Sequence, residues 1–119
     1  MSFCYTFFMY VVKEPKDFSF ERVGIKGKIF PTSHLTAKTE YFLVETEKGH
    51  ETSIMELECD FIYYILSGKG YFIIDGIKEE CEEGDLVVIP SGKKFTYKGK
   101  LRMIATSTPP WKAEQEKTF

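Results

Sequence analysis

Few side chains in this sequence could do chemistry. There are two histidines, His34 and His50, and three cysteines, Cys4, Cys59 and Cys81. Imidazole is the side chain whose ordinary pKa suits acid–base work near neutrality. His50 directly follows Gly49 and precedes an apolar segment, so it is expected as an exposed loop histidine within reach of a site's mouth. Cys59 stands beside Asp60, whose charge would raise a thiol pKa and disfavour a nucleophilic thiolate. The alternation Glu56, Glu58, Asp60 is expected on a solvent-facing or edge face, not as a catalytic carboxylate pair. Arg102, one of two arginines, could clamp an anion but is expected on the surface. Three cysteines without paired spacing do not make a disulfide framework, and they point to reduced thiols and a cytoplasmic location.

The elements that must position these groups are short. Apolar runs recur between turn residues: Gly24 to Phe30, Glu40 to Glu45, Ser53 to Leu66, Tyr71 to Ile74, Ile77 to Cys81, Leu86 to Ile89, Phe95 to Tyr97 and Leu101 to Thr106. Asp75-Gly76 between two of them predicts a hairpin tip. Pro90 ends the run before it. Sustained helical periodicity is missing, apart from a short turn near Trp111 to Glu116 after Pro109-Pro110. Aromatic residues make up 16% of the chain, which favours strands. Many short strands separated by turn signals predict an all-β sandwich or barrel.

Composition narrows function. A length of 119 residues predicts one domain, residues 1–119, and an apolar fraction of 43% suffices for a core. A net charge of -2 gives no basic footprint for nucleic acid. No apolar run approaches the ~18 residues of a membrane span, so no membrane role is expected. Met1 to Val12 is apolar but lacks the basic start and cleavage site of a signal peptide, and is expected to be a strand.

The spacing carries more. Gly49 and Gly68 frame one segment, and Gly84, Pro90 and Gly92 frame another, "GDLVVIPSGKKF". In both frame and spacing the region 49–99 resembles the cupin superfamily, small jelly-roll β-barrels with two glycine-framed motifs. The resemblance implies a cupin-type jelly-roll barrel and a metal held by His, His, Glu and His. The frame carries over, but the ligands do not. By one spacing the two first histidine slots fall on Met55 and Leu57; by the other they fall on Ile54 and Glu56. The glutamate slot is Phe61 and the last histidine slot is Phe95. A stable divalent site needs about three or four converging donors. One carboxylate and two phenyl rings fall short, so neither metal nor another cofactor is expected. Gly68 and Gly70 are expected to bracket a tight turn.

Ligand slots in this family face inward. That parity predicts Met55, Leu57, Phe61, Tyr63, Phe95 and Tyr97 as the lining of an aromatic pocket, with Cys59 and Ile65 on the same side. A buried phenol needs a partner, so Tyr63 and Tyr97 are the polar points of that pocket. The expected function is metal-independent binding of a small molecule, with Phe95 flooring the site. An alternative implied by the resemblance is a metal-independent sugar isomerase or epimerase, for which the motif strands supply no inward histidine base. A third is a non-catalytic cupin similar to the ethanolamine-utilisation cupin domain. A homodimer is expected, because the apolar strand Phe3 to Val12 would otherwise be an exposed edge.

Overall fold

The computed structural model describes residues 10–119. The strand expected over Phe3 to Val12 lies mostly outside them; Tyr10 to Val12 are irregular. Nine strands follow: β1 (Phe20–Arg22), β2 (Ile25–Ile29), β3 (Glu40–Thr46), β4 (Ile54–Glu56), β5 (Asp60–Ile74), β6 (Ile77–Glu82), β7 (Leu86–Ile89), β8 (Phe95–Thr108) and β9 (Glu116–Thr118). Among the described residues one 3-10 turn, Ala113–Gln115, occupies the place expected for a short turn near Trp111 to Glu116.

β8 is the spine. It pairs with β3 from Glu40↔Ser107 to Thr46↔Leu101, and with β5 from Asp60↔Thr108 to Ile74↔Phe95. The path β1-β2-β3-β8-β4-β9 then curls the sheet, while β6 and β7 add to β5. The Asp75-Gly76 tip forms as expected, with φ of 53 and 83 and ladder pairing on both sides. Phe95 opens β8 after the Pro90 turn. That turn is latched back by Gly92 N–H donating to the Glu56 carbonyl at 2.8 Å and Ser91 N–H donating to Asp60 at 2.8 Å.

Two expectations change. Gly68 and Gly70 do not make a turn; they lie inside the long strand β5. A Cβ at Gly70 would run into the Lys98 carbonyl across the ladder, so glycine here permits close strand approach. A register shift between Ile65 and Ser67 lets this strand bend. The segment Ser53 to Leu66 is also broken, with β4 ending at Glu56 and β5 starting at Asp60.

The break resets side-chain parity. β5 turns Phe61, Tyr63 and Ile65 inward, whereas β4 turns Ile54 and Glu56 inward. Met55 is therefore only half-buried on the other face, and Leu57 is 44% exposed. The strict alternation expected from Met55 through Ile65 fails because three residues outside either strand, Leu57 to Cys59, separate β4 from β5 and shift the inward phase from even to odd positions. Inside, Phe61, Tyr63, Phe72, Phe95 and Tyr97 form one cluster with centroid separations from 5.1 Å to 6.2 Å. Each such pair contributes about 0.5–1.5 kcal/mol beyond its area burial.

Candidate functional site

A cavity of about 480 Å³ lies within the curl of the sheet, lined by residues of β1, β2, β3, β4, β5, β8 and β9. Phe61, Tyr63, Tyr97 and Ala105 from β5 and β8 form its inner surface. Ile25, Ile29, Phe42 and Val44 from β2 and β3 give an apolar wall. Arg22, His50, Trp111 and Glu116 bring polar chemistry to it from four separate segments. Concave, mostly apolar sites with a few convergent polar groups are how small molecules are held.

Of the residues predicted from sequence, Phe61, Tyr63 and Tyr97 border this cavity. Phe95 points inward but does not reach it. Its ring is 1% exposed and packs 5.8 Å from Phe61 and 6.1 Å from Tyr63. Met55 and Leu57 are not brought to the cavity.

His50 is the residue that sequence reasoning set aside. It is expected in solvent, yet it is 6% exposed and lines the cavity. Gly49 explains the difference. Its φ of 110 suits glycine, and a Cβ there would strike the Tyr97 carbonyl. The loop can therefore lie directly on β8, where Gly49 bridges Lys98 and the His50 N–H donates to the Tyr97 carbonyl at 2.8 Å. The imidazole meets the Tyr97 ring edge-on, centroids 5.6 Å apart at 74°. The available sequence signal was the glycine immediately before the histidine, since glycine marks close backbone approach.

The site's protonation states follow from its geometry. His50 Nδ1 lies 2.7 Å from the Thr52 carbonyl and 3.3 Å from the Thr52 N–H, and the shorter contact, to an oxygen that can only accept, favours the tautomer with the proton on Nδ1. Nε2 then carries the lone pair. Burial lowers the His50 pKa most, while the Thr52 bond and Glu116 oppose that shift and Lys98 and Arg22 reinforce it. The ring is thus held as a neutral base at neutral pH. Burial raises the pKa of both Tyr63 and Tyr97, so both stay protonated donors. Among the described residues neither phenol hydroxyl has a protein hydrogen-bond partner, and both side chains border the cavity. A base and two phenols that border one space, the phenols without a partner among the described residues, can bind a hydroxylated or carbonyl-bearing molecule and move a proton on it. At the rim, Glu116 accepts the Trp111 indole N–H at 2.9 Å, and the Arg22 guanidinium lies 5.7 Å from the Trp111 ring centroid.

Of the two pairs of positions that the cupin resemblance offers for the first two ligands, Ile54 and Glu56 are buried, whereas Leu57 is exposed and Met55 half-buried; the remaining two positions hold Phe61 and Phe95. Among the described residues no group of three or more His, Cys, Asp or Glu could hold an ion. This donor set does not fit a divalent metal. Glu56 is not the solvent-facing carboxylate expected from its alternation with Glu58 and Asp60. It is 2% exposed, one oxygen accepts the Glu58 N–H at 3.3 Å, and the other has no partner among the described residues. Burial raises its pKa, and it raises that of Cys59 as well, with Glu56 and Glu58 adding to it. Arg102 pairs with Glu45 on the surface, as expected.

The sequence matches no family model and no curated protein. Solved structures do resemble it. Pac13 from Streptomyces, described as a unique nucleoside dehydratase, superposes with a TM-score of 0.84 at 20% identity, covering 93% of this chain and 91% of that one. An RmlC-like cupin from Shewanella frigidimarina gives 0.66 at 16% identity, covering 79% and 84%. EutQ from Clostridium difficile gives 0.62 at 27% identity, covering 76% and 66%.

Proposed function

We propose, for a chain that has the fold of the cupin superfamily, that its cavity binds a nucleoside-like molecule without a metal and that His50 is the acid–base group acting on it. The observation that carries this reading is the convergence of His50, Tyr63 and Tyr97 on one cavity. Its support from likeness is an interval. Structures of the Streptomyces protein with uridine include variants with one histidine changed to glutamine and either of two tyrosines changed to phenylalanine. In that protein the histidine precedes the tyrosines by 13 and 47 positions. His50 precedes Tyr63 and Tyr97 by the same 13 and 47.

The chemistry follows from the groups. The lone pair on Nε2 takes a proton from a carbon made acidic by a neighbouring carbonyl. The phenols donate to oxygens that gain charge as that proton leaves. The imidazolium formed can then return its proton to a departing hydroxyl, so that water is lost and the ring is neutral again. The apolar side chains Ile25, Ile29, Phe42 and Val44 that line the same cavity suit a flat heterocycle. The same His and Tyr pair serves the isomerase reading, which differs in returning the proton to carbon instead of oxygen.

The test is calorimetry with uridine on native protein and on His50→Gln, followed by mass spectrometry of nucleosides incubated with the native chain. Uridine binding, together with loss of one water from an oxidised nucleoside, supports the reading. A native protein that binds no nucleoside at millimolar concentration sinks it.

A further inference from the structure

His50 is a loop residue, and loops hold catalytic groups well only when something rigid grips them. Here the grip comes from the two residues flanking Tyr97. The His50 carbonyl accepts the Thr96 hydroxyl at 3.1 Å and the Lys98 ammonium at 2.6 Å. We propose that Lys98 and Thr96 are positioning residues for His50: by clamping its carbonyl from either side of Tyr97, they make the imidazole and the Tyr97 phenol one rigid unit that a ligand meets at fixed spacing. This deepens the acid–base reading above and rests on it.

Three features carry the inference. Residues on alternate positions of a strand share a face, so Thr96 and Lys98 reach the carbonyl from the side opposite the Tyr97 ring. With the His50 N–H on the Tyr97 carbonyl, the peptide groups on both sides of His50 are fixed to consecutive residues of β8. Second, Thr96 is only 8% exposed, because the loop lies over it. Third, the Lys98 bond is charge-assisted and so stronger than a neutral one. Lys98 also acts through charge. The imidazole touches the Tyr97 ring and the Thr52 carbonyl and feels the charges of Lys98 from β8, Arg22 from β1 and Glu116 from β9, while Tyr63 from β5 borders the same cavity. Lys98 and Arg22 disfavour its protonation and Glu116 favours it, while burial disfavours it most.

The experiment compares Lys98→Met, Thr96→Val and Lys98→Arg in the full chain. Its readouts are uridine affinity, the nitrogen chemical shifts of the His50 ring across pH, and hydrogen exchange of the His50 amide. Lys98→Met is expected to weaken uridine binding about tenfold, within the range lost when a reacting group drifts from its place. It should also raise the His50 titration midpoint. Thr96→Val is expected to weaken binding by about threefold with the midpoint unmoved, since it removes a neutral bond. Lys98→Arg should restore most of the affinity. Affinities within twofold of native in both Lys98→Met and Thr96→Val overturn the proposal. So does a midpoint shift in Lys98→Met with no affinity change, which would leave Lys98 a neighbouring charge and nothing more. If native protein binds no uridine, the functional reading fails, and the clamp is judged separately. Faster amide exchange and mixed ring tautomers in Lys98→Met then support it, and unchanged values overturn it.

Discussion

Phe95 and Tyr97 lie two residues apart on β8, point the same way and are each 1% exposed. Phe95 stands at the metal slot of the cupin frame, and its ring is walled in by Phe61 and Tyr63. Tyr97 borders the cavity beside His50, and its hydroxyl has no protein partner among the described residues. Fractional burial does not separate the two. What separates them is the second layer: β4 pairs against Phe95 through Ile54, whereas next to Tyr97 the strand meets a loop that brings an imidazole. A packed ring stabilises the barrel; an unpaired polar atom beside open space makes a site.

The largest expected effect breaks or keeps the packed side. Phe95→Ala should cost about 3–5 kcal/mol of stability, measured by denaturant unfolding, because it leaves a cavity in a close-packed cluster. A cost below about 1.5 kcal/mol would mean that the ring faces open space and the contrast is false.

On the open side, His50→Gln should lower turnover of a dehydratable nucleoside by about 10²–10⁴, the usual contribution of one acid–base group. Folding should survive, since Gln can still donate to the Thr52 carbonyl. Unchanged turnover would move the chemistry away from His50. Smaller effects should follow from the phenols. Tyr63→Phe and Tyr97→Phe should each weaken uridine binding by about 0.5–1.5 kcal/mol in calorimetry while leaving the melting temperature level or higher. A sharp loss of stability instead would place those hydroxyls in the fold's own bonding.

Proton linkage separates the two sides again. The folded pKa of His50 lies below its ordinary value of 6.5. Its contribution to stability is therefore present above that value and is lost as pH falls from there through the folded pKa. Glu56 has a folded pKa above its ordinary 4.5, so its contribution is full below that value and is lost as pH rises through the folded pKa. Melting curves across pH should then show Glu56→Gln gaining on native protein toward alkaline pH, and His50→Gln gaining toward acid. Parallel curves would count against both environments. The smallest effect belongs to Leu57→Ser, which should change stability by less than about 0.5 kcal/mol because the side chain is on the surface.

Most of the fold is legible in the residues. Asp75-Gly76 specifies a hairpin wherever it sits between apolar strands, and Pro90 followed by Gly92 stops one strand and starts another. These are local rules, so sequence alone determines them. That two of the expected ligand slots supply no ligand was equally legible, because Phe61 and Phe95 lack donor atoms in any fold. Phe61, Tyr63 and Tyr97 were readable as inward because unbroken strands keep their parity. Met55 and Leu57 were not, because the bend between β4 and β5 resets the phase, and periodicity cannot see a bend. His50 was decided by tertiary structure. Gly49 beside it permits a close approach, but nothing local says which strand is approached, and the one met lies 47 residues later. Its tautomer is set locally by the Thr52 carbonyl, but its burial comes from lying against Thr96, Tyr97 and Lys98, and that burial, with Lys98 and Arg22 brought near, favours the neutral ring.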